Sequence, residues 1–152
     1  MTAAIICSML PDADVIGFRF GIPYESMWGH RGISHSIFFA ALLSLFVSTF
    51  IYHVLKQKEF SFFKLSLLLF ISTVSHPLLD ALTNGGMGVA LFAPFNNERF
   101  FFPFRPIMVS PIGASHFFSS YGLRVMKSEF VFIWIPVILV TGTSLFLKRK
   151  TS

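Results

Sequence analysis

Cysteine and charge are what this sequence lacks. Cys7 is the only cysteine in 152 residues, so no intrachain disulfide can form and a thiolate metal cluster is excluded for a single chain. Charged residues make up only 12% of the chain, against roughly 25% in ordinary soluble domains. The 54% that are hydrophobic gather into blocks, which is the pattern of an all-α integral membrane protein. The length allows one domain with one active site. A net charge of +5 could point to nucleic acid, but Lys56, Lys58, Lys148, Arg149 and Lys150 sit at the ends of apolar runs. Topology and anionic lipid account for them there, so no nucleic-acid partner is expected, and the lipid bilayer is.

About three transmembrane helices are expected. From Gly32 to Leu55 no Asp, Glu, Lys or Arg occurs, a run of 24 residues, and ~20 suffice to span a bilayer. Phe60 to Leu79 is the second, with Lys64 near enough to its start to snorkel to the interface. The short link Lys56-Gln57-Lys58-Glu59 makes the two an antiparallel hairpin. Phe130 to Leu147 is the third, with Pro136 expected to kink it. Met1 to Leu10 is apolar but too short to span and lacks the basic start of a signal peptide. It reads as the last turns of a helix ended by Pro11, followed by a loop through Gly17, Gly21 and Pro23 to Trp28. Between Asp80 and Glu129, Pro94, Pro103, Pro106 and Pro111 break any long helix. Pro106 to Leu123, which includes His116, reads as an interfacial or re-entrant cap in this loop-rich region.

Orientation follows from the short basic segments. Lys56 and Lys58 in the hairpin and Lys148-Arg149-Lys150 after the third helix belong in the cytoplasm by the positive-inside rule. The other end of the hairpin, carrying the polar stretches, then faces the extracytoplasmic side of a multi-pass protein.

Three stretches carry chemistry. His76 and Asp80 stand four apart on the second helix and project from one face, so a nitrogen and a carboxylate oxygen can converge on one cation. Asp12 and Asp14 alternate after Pro11, a spacing that also suits turn capping. His30 and His35 flank Gly32 at the start of the first long helix, which the hairpin brings beside the end of the second. The set is nitrogen and oxygen without soft sulfur, suited to zinc first, and to manganese or iron. Arg31 offers a fork of donors for a phosphate or carboxylate, or snorkels to a headgroup. Ser34 and Ser36 read as helix caps rather than nucleophiles. Thr83 is placed to hydrogen-bond a ligand carboxylate. The aromatic run around Phe100, interleaved with Arg99 and Arg105, reads as an interfacial belt that also suits a lipid substrate.

Four motifs in order, Leu10-Pro11-Asp12-Ala13-Asp14, Gly29-His30-Arg31-Gly32-Ile33-Ser34-His35-Ser36, Ser75-His76 with Asp80 and Thr83, and Phe104-Arg105-Pro106-Ile107, resemble those of the YdjM-type inner-membrane proteins. These are described as predicted metal-dependent hydrolases, distantly similar to helical zinc-dependent phospholipases C. The resemblance implies Asp12, Asp14, His30, His35, His76 and Asp80 as the polar centre. It also implies a further N-terminal helix carrying a histidine, of which Met1 to Leu10 would be the end.

The expectation is a single membrane-embedded, metal-dependent hydrolase acting on a phosphoester or lipid-linked substrate. Asp14, His35, His76 and Asp80 are the expected ligands, with Asp14 alternatively the general base. Asp12, His30 and Thr83 orient them or add ligands, and Arg31 neutralises the substrate anion. The alternatives are a structural metal site without catalysis and a cation or proton transporter. A transport path would need more polar residues within the first helix than Ser44, Ser48, Thr49 and His53 provide.

Overall fold

The computed structural model describes residues 1–57, 59–111 and 118–150, so Lys58, His116 and the rest of 112–117 in the expected cap lie outside the described residues. The described residues are mostly helical, with no strand and two isolated β-bridges. Three helices are long and apolar enough to cross a membrane: Ile37–Val54, Phe62–Ala81 and Ser120–Lys150. The chain forms two compact units, Met1–Ala81 with Met87–Phe102, and Leu82–Gly86 with Pro103–Ser152.

In the first unit, α1 (Thr2–Met9) and α2 (Ile37–Thr49) both pack on α3 (Phe62–Ala81). The stretch after Pro11 is more regular than the loop expected from sequence. It winds as a 3-10 helix over Leu10–Phe20, because Pro11 sits at its start, where a missing N–H costs nothing, and Gly21 closes it at φ 73°. The first span starts later than expected. Ile33–His35 is a separate 3-10 turn, Ser36 is extended, and its Oγ accepts from Phe39 N at 3.0 Å to cap α2. α2 then runs into a π-helical stretch, Phe50–Val54, before the hairpin turn.

Small side chains explain the close α2–α3 seam. Ala40, Ser44 and Ser48, four apart, are buried on α2, and Ser66, Leu69, Thr73, Pro77 and Ala81 are buried on α3, so Leu69 is the one large side chain among them. Without a hydrophobic force between helices in lipid, such small residues let backbones approach. The hydroxyls of Ser44, Ser66 and Thr73 return to carbonyls of their own helix at 2.8–2.9 Å, whereas the buried Ser48 hydroxyl has no hydrogen-bond partner among the described residues. Phe46, Phe63 and Ile71 are exposed on the outside, where lipid would solvate them.

Residues 87–102 fold back over the site end of this unit. Ile37 N donates to Leu91 O, Ala90 N to Arg31 O and Phe102 N to Ala81 O, at 2.9–3.0 Å. Val89, Leu91 and Ala81 are buried together against Leu78 and Phe100. The end of α3 and the start of α2 are thereby tied to one segment.

In the second unit, α4 (Ser120–Glu129) leads through a π-helical turn, Phe130–Trp134, into α5 (Ile135–Lys150). The third span therefore begins ten residues before the expected Phe130, at Ser120. Ser119 Oγ caps α4 by accepting from Gly122 N at 3.3 Å, a start signal hidden among the prolines and serines upstream. A π-helical turn, Phe130–Trp134, lies just before Pro136, whose ring leaves no N–H to donate and crowds the carbonyl four residues back.

Candidate metal centre

The loop before α2 is wound tightly enough to need its glycines. A Cβ on Gly29 would collide with the carbonyls of Pro23 and Tyr24, and one on Gly32 with the carbonyl of Met27. Gly29 N donates to Ser26 O, Gly32 N to Gly29 O and Ile33 N to Met27 O, at 2.8–3.0 Å. Between the glycines Arg31 adopts φ 61°, a left-handed conformation uncommon for a side-chain-bearing residue. Arg99, from the returning segment, fastens the loop. Its Nη2 donates to Tyr24 O at 2.7 Å and Ser26 O at 3.3 Å, and its Nη1 to His30 O at 3.1 Å and Gly88 O at 3.3 Å. The guanidinium also lies over the Tyr24 ring, 5.2 Å from its centre.

So held, His35 meets the end of α3. His35 Nε2 lies 3.4 Å from Asp12 Oδ1 and 3.3 Å from Asp80 Oδ2, and His76 Nε2 lies 3.3 Å and 3.6 Å from the same two oxygens. Four ligands at the corners of a tetrahedron, each ~2.0–2.2 Å from a zinc ion, stand roughly 3.3–3.6 Å apart. Both Nε2 atoms are buried and have no hydrogen-bond partner among the described residues. Without an ion, a proton on His35 Nε2 pairs that atom with the Asp12 and Asp80 carboxylates, and a cation between the two Nε2 atoms would take that proton's place. Asp12, His35, His76 and Asp80 form a cluster that can hold a metal.

Behind it lies a second layer. Asp14 Oδ1 accepts from His30 Nδ1 at 2.7 Å, and Oδ2 takes Arg31 N at 3.2 Å, the Ser34 hydroxyl and His35 Nδ1 at 3.1 Å. Asp14, His30 and His35 also lie close enough to make a second three-residue group, but the short His30 contact is a hydrogen bond, not a gap for an ion. Arg31 Nη2 donates to Asp80 Oδ1 at 2.9 Å, leaving Oδ2 on the cluster side. Burial opposes a charge on His35, yet the carboxylates of Asp12, Asp14 and Asp80 outweigh it and raise its pKa to about 10. Burial likewise works against ionising Asp12 and Asp14. The imidazoles of His35 and His76 at Asp12, and those of His30 and His35 at Asp14, hold both far below the usual carboxylate range.

The family model for the YdjM inner membrane protein matches residues 1–151. The chain belongs to the YdjM inner membrane protein family. It is similar to the inner membrane protein YbcI of Escherichia coli K12, 39% identical over 150 residues that cover 97% of this chain and 83% of that protein. No solved structure matches significantly.

In this YdjM family member the four-residue cluster takes in Asp12, from the segment's first turn, whereas Asp14 reaches His35 from behind. Arg31 lies on Asp80 rather than in open space, with its side chain 5% exposed. Thr83 belongs to the second unit, where it bridges to Ile107 and its hydroxyl donates to Gly85 O at 3.4 Å. His53 sits far along the first span, ringed by Tyr52 and Phe62. Two contributors escape a sequence reading. Arg99 looks like one more cation in an aromatic belt, and its only signal is that a cation in so uncharged a chain needs partners. Ser34 looks like a cap, but the cap is Ser36, and the Ser34 hydroxyl serves Asp14, 3.0 Å from His35 Nδ1.

Proposed function

We propose that this membrane protein binds one divalent cation through Asp12, His35, His76 and Asp80, and hydrolyses a phosphoester or other lipid-linked group. Zinc fits the donor set first, with manganese or iron as substitutes. The observation that carries the reading is the pair of buried, unbonded Nε2 atoms facing two carboxylate oxygens at 3.3–3.6 Å. A bound divalent ion supplies Lewis acidity and lowers the pKa of water toward ~7.

The chain's own groups prepare that chemistry. Asp14 keeps the His35 proton on Nδ1, so that Nε2 presents its lone pair to the cluster. Ser34 and His30 hold Asp14, and Arg31 turns Asp80 so that one oxygen faces inward. Arg31 also offsets part of the Asp80 charge. Asp12 is the exposed ligand, at 55% of its side chain, and marks the side from which water and substrate enter. The positive-inside rule supports an extracytoplasmic location for this end of the hairpin. A reporter fused near Asn97 should accordingly read outside, and one after Lys150 inside.

The test is a screen of lipid phosphates and diphosphates in detergent, with protein loaded with zinc or manganese. Turnover that is lost in His76→Ala supports the hydrolase. Full metal loading without cleavage of any phosphoester or ester would favour a structural metal instead.

A further inference from the structure

The 3-10 helix Leu10–Phe20 is inverted relative to a helix on a water-facing surface. Three residues per turn stack every third side chain into a row. Leu10, Ala13, Ile16 and Arg19 form one such row, and all four are exposed, Ile16 at 56%. The carboxylates turn the other way: Asp14 reaches His30 and His35, and Asp12, on the neighbouring row, reaches His35 and His76. An apolar row held outward around carboxylates held inward suits a medium less polar than water. The helix also continues directly from α1, which packs on the span α3 and exposes Ile5, Ile6 and Met9. Two charges set the opposite limit. Asp12 is 55% exposed and Arg19 is exposed too, and both are costly to leave in hydrocarbon. Both limits are met at the boundary between headgroups and acyl chains, where amphipathic helices lie with the apolar face buried by roughly 5–10 Å.

We propose that this helix lies along the bilayer interface, with Leu10, Ala13 and Ile16 against the acyl boundary and Arg19 among the headgroup phosphates, so that the exposed edge of Asp12 opens into the headgroup layer. Arg19 closes the row in the last turn, where its guanidinium matches phosphate oxygens. The connection to the cluster is Asp12 itself, which borders the row and contacts both imidazoles. The inference deepens the hydrolase reading and rests on it for the substrate class alone: the linkage delivered to the cluster is a lipid phosphoester at headgroup depth, not a soluble phosphate.

The chain has only two tryptophans, Trp28 and Trp134, so replacing both with Phe gives a silent background. In it, Ile16→Trp and Ala13→Trp each place one ring on the row, and Leu139→Trp places one at an exposed position within the uncharged run of the third span. Each protein is reconstituted in phosphatidylcholine vesicles brominated either near the headgroup or near the chain end. Shallow bromine should quench both row reporters several-fold more than deep bromine, and Leu139→Trp should show the reverse order. Row emission that neither lipid quenches would place the helix in water, and stronger quenching by deep bromine would place it in hydrocarbon; either result overturns the proposal. Manganese loaded into the parent protein in unbrominated vesicles, and freed of excess, should broaden the lipid phosphorus resonance, with no broadening in His76→Ala. A sharp phosphorus resonance with manganese bound would overturn the opening of Asp12 to the headgroups. Shallow quenching in protein that takes up no metal would keep the helix in the interface and sink the metal reading alone. Metal uptake with unquenched row reporters would do the reverse.

Discussion

Loading the cluster with a divalent cation at pH 8 should release about one proton per chain. With no cation bound, His35 carries a pKa of about 10 and is doubly protonated at that pH, while Asp12 and Asp14 are held far below their ordinary range and are already ionised. His35 would offer Nε2 to a cation at the cluster, and the proton released would be the one held on that nitrogen. The Nδ1 proton stays, because Asp14 Oδ2 receives it at 3.1 Å. Apparent affinity should then rise roughly tenfold per pH unit towards pH 10, whereas an ordinary histidine would stop contributing above ~6.5. Calorimetric titration of zinc in Hepes and in Tris, which differ in ionisation enthalpy, reads the proton count directly. Asp14→Asn leaves all four ligands in place but removes one of the carboxylates that raise the His35 pKa, so release should shrink. Equal heats in the two buffers at pH 8 would refute the reasoning, since His35 would then already be neutral.

The same charges set the stability of the protein in EDTA. The His35 contribution is complete below ~6.5 and lost as pH rises towards 10, and those of Asp12 and Asp14 are complete above ~4 and lost as pH falls below it. The thermal midpoint should fall on both sides of that window, and a rise between pH 7 and 9 would contradict the assignment. Arg31→Lys keeps the charge but not the fork that turns Asp80. Metal affinity should drop about 10–100-fold, as for other groups that orient ligands, and competition with a chelator measures it; unchanged affinity would remove Arg31 from that role. Gly32→Ala forces a methyl into the Met27 carbonyl, and should cost roughly 1–3 kcal/mol of stability, read as a lower unfolding midpoint.

Much of the fold was legible because apolar run length and flanking charge determine a membrane helix almost alone. The two hairpin spans fall within a few residues of their expected bounds, apart from the start of α2. There the glycine-bounded 3-10 turn delays the helix to Ile37 because Ser36, not Gly32, supplies the cap. The third span is foreshortened in the sequence reading because the proline-broken, loop-rich region is carried as far as Glu129, while the helix runs from Ser120 through Arg124, Lys127 and Glu129. At the site, the meeting of His35 with His76 and Asp80 follows from hairpin connectivity. The division of labour between Asp12 and Asp14 does not. Two residues apart on a 3-10 helix, their side chains leave in different directions, and only the winding after Pro11 decides which one reaches both Nε2 atoms. Arg99 was illegible for a different reason, since its partners are backbone carbonyls some 70 residues away, which no side-chain pattern announces.

Elemental analysis of the purified protein tests the central claim most directly. One divalent cation per chain is predicted, falling to background in Asp12→Ala and in His76→Ala. Asp14→Asn, which leaves all four ligands in place, should retain the metal with weakened affinity. Metal content unchanged in both ligand variants, or no metal taken up by the parent from excess zinc, would contradict the account.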